Sequence, residues 1–572
     1  MMITLVLSSN MKRMLNSNVL VRKMVGIETA GSLNTLFVDK TGTITEGIFS
    51  LDKIYSSSLK DNAPLLNNDE ESLLIKLSLY YNTSSIYEND KIIYGNSTEK
   101  AIKKYLGNTT YNYKEINKQK FTSDNKYSSC TINYNGTTTF FIGAYEVILD
   151  KCTYKYTHGK KEYIKNKDEI ISKITSITKK GYRVLSLSYS NKTYLKDSCL
   201  LGFICLKDNP RKNAQSAINT IKDAGINVIM VTGDAPETAI SVARETNILS
   251  SPSDIILTSK ELSKLSDNDI KKIFNNIKIV ARSFPEDKIR LVRIAQELSL
   301  VVGMTGDGIN DTPALKKSDV AFAMGSGAEI AKEVSDIIIL DDNISSISNA
   351  ILYGRTIFKS IRKFIIFQLT INFIALVLSI VGPLIGIIAP ITIIQMLWIN
   401  MVMDTLAALA FSYEAPKEEY MKEKPKHKNE PIMNSYMINQ IVVCGLYSSI
   451  LCIIFLKSSF IHSLFRVGIN DIYLYTAFFG LFIFISIFNM FNARTHRINI
   501  LSSLFKNKVF LLVTIFIILV QILLIYYGGS LFRTTGLTLI EFQIMILISF
   551  SIVPVDILRK LYLKKTNNKN GV

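Results

Sequence analysis

Cysteine is scarce and scattered. The six residues stand at 130, 152, 199, 205, 444 and 452, with no Cys-x-x-Cys pair, and the four histidines are isolated. That pattern excludes a Cys/His zinc site and a disulfide framework, and leaves reduced or buried thiols as the default. Carboxylates are in deficit, 48 Asp+Glu against 66 Lys+Arg, for a net charge of +18. No basic helix and no aromatic-basic run goes with that excess, which argues against a nucleic-acid partner. The basic cytoplasmic loops of a membrane protein account for it better. Collagen-like and coiled-coil repeats are absent. Hydrophobic residues make up 48%, too many for a mainly disordered chain. The opening MMITLVLSSN lacks the basic start, long apolar core and small-residue cleavage site of a signal peptide. Its run of about eight apolar residues is too short to span a bilayer. It reads as the cytoplasmic end of a helix, followed to residue 30 by a stalk.

What is present is divided. A mean hydropathy of +0.21 beside 20% charged residues implies separate charged and apolar territories. The change comes near residue 364. Beyond it, six stretches reach the roughly 20 residues a transmembrane helix needs: 364–386, 390–412, 437–457, 472–494, 508–529 and 538–558. One set of connections is basic, with Lys417, Lys422, Lys424, Lys426 and Lys428, then Arg494, Arg497, Lys506 and Lys508, then the tail Arg559, Lys560, Lys564, Lys565 and Lys569. The opposite set is nearly uncharged. The positive-inside rule therefore puts the basic loops, the tail and the large N-terminal region in the cytoplasm. The expectation is a multi-pass protein of the cell membrane, in contact with the lipid bilayer.

Before residue 364, short apolar strands deliver polar loops. TLFV (35–38) runs into Asp39-Lys40-Thr41-Gly42-Thr43-Ile44-Thr45. NVIMV leads to Thr232-Gly233-Asp234, and LVVGM to Thr305-Gly306-Asp307-Gly308-Ile309-Asn310-Asp311. Lys288, in FPEDK, lies between the last two. Open α/β sheets take ligands at the C-terminal ends of their strands. Phosphoryl transfer fits these residues. Asp39 can act as a nucleophile that becomes an aspartyl phosphate, Asp39 and Asp307 offer magnesium two hard oxygen ligands, and Lys288 and the Thr232 hydroxyl can stabilise phosphoryl oxygens.

DKTGTIT, TGD and TGDGINDTPAL resemble the phosphorylation-domain signatures of P-type ATPases, and the likeness extends through KDNPR (207–211), ILDDN (339–343) and the apolar helices. The resemblance implies ATP and Mg2+ as cofactors and Asp39 as the phosphorylated residue. It implies a Thr41 backbone carbonyl on magnesium and catalytic roles for Lys40, Thr232, Gly233, Asp234, Lys288, Asn310 and Asp311. It also implies cofactor-side roles for Asp208 and Arg211. The fold it implies is multidomain. A haloacid-dehalogenase-like, Rossmannoid α/β phosphorylation domain (31–50 and 196–355) would carry an inserted α+β nucleotide-binding domain (51–195). An all-α membrane domain of six transmembrane helices (356–572) would follow. In the insert, Glu99 of GNSTEKAI stands at the family's acidic nucleotide contact. Phe121 could stack on adenine beside Lys126, and Arg183 of GYRVL could meet phosphate. The family's KGAPE motif reads Ile142-Gly143-Ala144-Tyr145-Glu146 here, without the lysine and the proline.

In the second apolar stretch, Asn400 and Asp404 are four apart, which puts them on one helix face. A carboxylate within a span marks an ion path by default. Gln368 and Asn372 share a face of the first. Oxygen ligands without imidazole or thiolate suit a hard cation such as calcium. WINMVMDT, FQLTIN and FNMFNAR resemble the plasma-membrane-type (IIB) calcium pumps. Met403 replaces the threonine, and Ala375 the glutamate, of the sarcoplasmic-reticulum type. This implies one Ca2+ site, with Asn372 as a further candidate ligand; secretory-pathway pumps share the Asn-Met-Asp pattern, which leaves Mn2+ open. Such pumps also carry an actuator domain and four earlier helices that do not precede Asp39. The expectation is an N-terminally truncated pump that does not transport alone, with a split pump completed by a separate N-terminal half as its variant. An aspartate-based phosphatase and a non-transporting remnant are the rival readings.

Overall fold

The computed structural model describes residues 2–57, 70–88, 91–122, 125–157, 159–387, 390–426, 430–468, 471–502 and 504–566. Lys428 and Lys569 of the basic segments lie outside them. The chain divides into two compact units, Asn34–Ser348 and the combination of Met1–Leu33 with Asn349–Val572.

Asn34–Ser348 is built on two large sheets, beside a two-stranded one of Ile86–Glu88 and Lys91–Ile93. In the first, strands run in the order Ile337–Ile339, Val320–Met324, Val302–Gly306, Thr35–Val38, Asn227–Val231, Ile277–Ala281 and Ile255–Thr258, all parallel. Thr35–Val38, Val320–Met324 and Ile337–Ile339 are buried at every position. Strands with helices on both faces read as unbroken apolar runs for this reason. Helices Pro236–Glu245 and Pro285–Glu297 each begin on a proline, whose fixed φ suits a first helical turn.

The second sheet is largely antiparallel, in the order Lys160–Tyr163, Cys152–Thr157, Ser198–Pro210, Arg183–Ser190, Thr137–Ala144, Tyr127–Asn133 and Glu115–Gln119. Thr45–Ser56 also pairs with Ser198–Pro210. This sheet therefore reaches past both ends of the 51–195 segment. Separate apolar clusters cover its faces, one around Leu77, Ile102 and Phe140, the other around Ile148, Ile174 and Phe203. The first strand and the last long one form a ribbon from Thr45, opposite Pro210, to Ser56, opposite Gly202.

The other unit is helical. Six helices are long and apolar enough to cross a membrane: Ile344–Leu384, Ile393–Ser412, Ser435–Lys457, Ile472–Arg494, Lys508–Tyr527 and Leu539–Lys565. The fourth is central, with 83% of its apolar window buried against 33–44% for the others. The first begins some twenty residues before the expected 364, because hydropathy registers the apolar run and not the polar turns that extend the same helix. The second carries a π-helical stretch at Trp398–Met403. Helix Met2–Leu15 is tied to the end of the second span, where Asn10 Nδ2 donates to the Ser412 carbonyl at 2.9 Å and Arg13 to that of Glu414 at 3.1 Å.

Helix Met24–Gly31 meets the first span through two glycines. A Cβ on Gly31 would lie 2.5 Å from the Gly354 carbonyl carbon, and one on Gly354 would lie 2.4 Å from the Ile27 carbonyl oxygen. Backbone on both sides cannot yield as a side chain can. Gly354→Ala is expected to lower stability by about 1–3 kcal/mol through overpacking, read as the thermal midpoint of the full chain in detergent.

Candidate functional site

The candidate constellation follows from strand register. Val38 is level with Met230 and Phe37 with Met304, so all three strands release their loops at one edge. Thr35–Val38 lies between the other two, where the connections diverge and ligands bind in open sheets. The Asp39 N–H donates to Thr305 Oγ1 at 3.0 Å, and Asp39 Oδ1 accepts from the Lys40 N–H at 3.0 Å. Gly42, at φ +75°, makes the turn that follows. A Cβ there would lie 3.3 Å from Asp307 Oδ2, so the loop passes close to that carboxylate.

Carboxylate oxygens of Asp39, Asp307 and Asp311 lie within 4.8 Å of one another. Lys288 Nζ donates to Asp311 at 2.6 Å and stands 3.9 Å from Asp39. Burial pushes the Asp39 carboxyl up to about 7; Asp311 and Asp307 push the same way, against Lys288 and the Lys40 N–H. Asp307 is raised by burial and by Asp311. Burial by itself lowers the Lys288 ammonium, but Asp39 and Asp311 outweigh it and the net direction is up. An all-oxygen donor set with crowded negative charge fits a hard divalent cation such as magnesium.

Thr232 is buried, and its hydroxyl accepts from the Asp234 N–H at 3.2 Å. A Cβ on Gly233 would meet nothing within 4 Å, which leaves room beside Thr232. The side chains of Thr41 and Asn310 are exposed at the same edge. Lys40 is buried between Asp234 at 2.7 Å and Asp208 at 3.2 Å. Asp208 also accepts from Thr45 Oγ1 at 2.6 Å and the Gly47 N–H at 3.0 Å, and Arg211 donates to the Gly42 carbonyl at 3.0 Å. Asp208 and Arg211, expected as cofactor contacts, clamp the 40–47 loop that presents Asp39. Thr305 stands in the motif read from the sequence, but its bond to the Asp39 N–H gives it a role the motif did not assign.

In the second sheet a cavity of about 260 Å3 gathers Glu99, Phe121, Ile142 and Arg183, together with Asn82 and Ser128. Ser128 donates to Asn82 at 3.2 Å. Asn82 had no sequence signal. Glu99 accepts from the Ser84 N–H at 2.9 Å and from Asn96 at 3.1 Å. Phe121 is exposed, which suits stacking. Lys126 does not line the cavity; it sits at φ +59° in the following turn. Ile142, at the position of the family lysine, is buried in the sheet's apolar cluster.

Between the first two spans, Gln368 Nε2 donates to Asp404 Oδ2 at 2.5 Å. Asp404 Oδ1 and Gln368 Oε1 are buried with no hydrogen-bond partner among the described residues. Asn400 does not share this environment: Asp404 is buried and Asn400 exposed. The two differ in burial, and a π-helical stretch, Trp398–Met403, leads into Asp404. Asn372 is exposed as well, and Gln368 is the member of its pair that reaches Asp404.

Residues 33–319 match the family of haloacid dehalogenase-like hydrolases, as do residues 296–351, and residues 388–562 match the family described as cation transporting ATPase, C-terminus. The plasma membrane-type calcium-transporting ATPase 12 of Arabidopsis thaliana is 32% identical over 558 residues, covering 92% of this chain and 54% of that protein. The probable calcium-transporting ATPase 6 of Oryza sativa is 33% identical over 571 residues, 94% of this chain and 56% of that protein. Calcium-transporting ATPase 1 of Bacillus cereus is 30% identical over 601 residues, 99% of this chain and 67% of that protein. The chain spans little more than half the length of the plant relatives it matches.

Proposed function

The chain belongs to the P-type cation-transporting ATPases, and from that premise we propose that it takes part in ATP-driven calcium transport through a phosphorylated Asp39. The observation that carries the reading is the cluster of Asp39, Asp307 and Asp311 around Lys288 at the strand ends. In this reading an Asp39 oxygen attacks the γ-phosphorus of ATP, the bond to the bridging oxygen breaks and ADP leaves. Lys288 and the Thr232 hydroxyl steady the charge on the transferred group. Asp39 and Asp307, with the Thr41 carbonyl, would hold magnesium, which when bound neutralises phosphate charge. Lys40, Asp208, Asp234 and Arg211 position the loop. Gly233 and Asn310 leave and line the space beside the phosphoryl group.

The cavity around Glu99, Phe121 and Arg183 is the nucleotide site of this proposal. Among the described residues its lining holds one cation, Arg183. Ile142→Lys, with its ammonium extended into the cavity, is expected to tighten ATP binding by about two- to fivefold, measured by displacement of a fluorescent ATP analogue. The transported ion would lie at Asp404 with Gln368, and the exposed Asn372 and Asn400 remain candidate ligands. The membrane assignment is the cell membrane, with the catalytic unit and tail cytoplasmic.

The test is labelling of the full chain in membranes with γ-labelled ATP, acid-quenched, with calcium or manganese titrated. Calcium-dependent, hydroxylamine-labile label is the expected result. Label indifferent to calcium but dependent on manganese would reassign the ion. Absence of label in a folded sample would overturn the catalytic reading.

A further inference from the structure

Three carboxylates lie within the six spans, Asp404 in the second and Glu541 and Asp556 in the sixth. All three are buried, but they are not answered alike. Glu541 meets Arg466 at 2.9 Å, and Asp556 meets Arg559 at 2.8 Å and Lys560 at 2.7 Å. Asp404 forms no ion pair among the described residues, and its side-chain partner is the neutral amide of Gln368. A buried carboxylate without a cation of its own is expensive and calls for one from outside.

The amide is the unusual part of this pair. Gln368 Nε2 donates to Asp404 Oδ2 at 2.5 Å, while Gln368 Oε1 and Asp404 Oδ1 are buried without a hydrogen-bond partner among the described residues. An ionised carboxylate only accepts, so the amide must turn its NH2 end towards it. A divalent cation on Asp404 reverses that preference. The NH2 group is a donor and repels it, whereas the amide oxygen is a hard ligand of the kind calcium takes. The last torsion of a glutamine side chain is broad and roughly two-fold. A half-turn about it exchanges the two ends while the helix stays in place.

We propose that Gln368 changes roles as the ion site fills. Its amide nitrogen holds the Asp404 carboxylate in the ion-free state, and its amide oxygen becomes a ligand of the transported divalent cation on loading. This deepens the reading of Asp404 as the ion site and rests on it. The hydrogen bond between the two spans thus competes with the ion and is broken by it.

The probe is Tb3+, a stand-in for Ca2+, added to the full chain in detergent and excited through Trp398, the one tryptophan of the chain. Trp398 precedes Asp404 by six residues on the same span, at most roughly 9 Å along the axis. Only luminescence that Asp404→Asn abolishes is counted, and calcium affinity is read from its displacement. Gln368→Leu removes the ligand and is expected to weaken calcium binding about tenfold. Gln368→Glu keeps an oxygen there and is expected to bind calcium at least as tightly as the unsubstituted chain.

Equal or tighter binding by Gln368→Leu would overturn the proposal, since the amide would then serve packing or act as a lock alone. A tenfold loss in Gln368→Glu would overturn it as well, because the nitrogen would be what the site needs. If Gln368→Leu does not fold, Gln368→Glu decides by the same affinity. The change of roles has a signature of its own. Gln368→Glu lacks the donor that steadies Asp404 without the ion, so calcium should raise its thermal midpoint more than that of the unsubstituted chain. An equal rise would contradict the exchange. Luminescence indifferent to Asp404→Asn would instead overturn the ion reading of Asp404, and this proposal with it; failure at Gln368 alone leaves that reading standing.

Discussion

A chain carrying Asp39→Asn incorporates no hydroxylamine-labile phosphate from ATP, a loss of at least about four orders of magnitude. The amide is nearly isosteric but is not a nucleophile, and no other carboxylate can replace it. Asp311 is held by Lys288, and Asp307 lies across the cluster. The same substitution should leave the fold at least as stable. Three carboxylates within 4.8 Å repel one another, and the amide removes one charge from that group. Magnesium should therefore raise the thermal midpoint of the unsubstituted chain more than that of the variant. Equal magnesium shifts in the two proteins would place the ion elsewhere.

Lys288→Ala is expected to act in both respects. It removes the cation 2.6 Å from buried Asp311 and 3.9 Å from Asp39. A buried charge left without its partner costs about 3–5 kcal/mol. Hydrogen exchange of the strand Val302–Gly306, which leads into Asp311, should accelerate accordingly. Labelling should fall about 100- to 1,000-fold as a charge stabiliser is lost. The two effects can be separated. Adding Asp311→Asn to Lys288→Ala relieves the unpaired acid and should restore much of the protection without restoring the label. Recovery of both would mean that Lys288 serves the fold alone.

The parallel sheet and its loops were legible because they rest on local signals. TLFV and NVIMV are short apolar runs ended by polar residues, and the structure places them side by side with their ends level. The spans were legible by length, since hydropathy needs no partner to be read. Contacts that depend on distant residues were not. Nothing near Asp208 announces that Lys40, Thr45 and Gly47 converge on it, because those partners lie on the far side of the insert. The motif shows Thr305 but not its bond to Asp39, which comes from a neighbouring strand distant in sequence. The spacing of Asn400 and Asp404 could not show that one is exposed and the other buried, since burial depends on the neighbouring helices. Gln368, next to the buried Phe367 of its helix, reaches Asp404 only through the packing of two spans.

The ribbon that joins the two sheets has a bearing on how such a protein could arise. The chain leaves the parallel sheet at Thr45 and returns at Pro210, its direct neighbour across the ladder. A long excursion with touching ends asks little of its host, since closure cost grows only slowly with length. Everything beyond the root of the ribbon could be lengthened, trimmed or exchanged while Asp39 kept its place. The inserted part is in this sense a graft, free to diversify in sequence, as its Asn-, Ser- and Tyr-rich composition and its isoleucine at 142 illustrate, while the stock that carries Asp39 stays fixed.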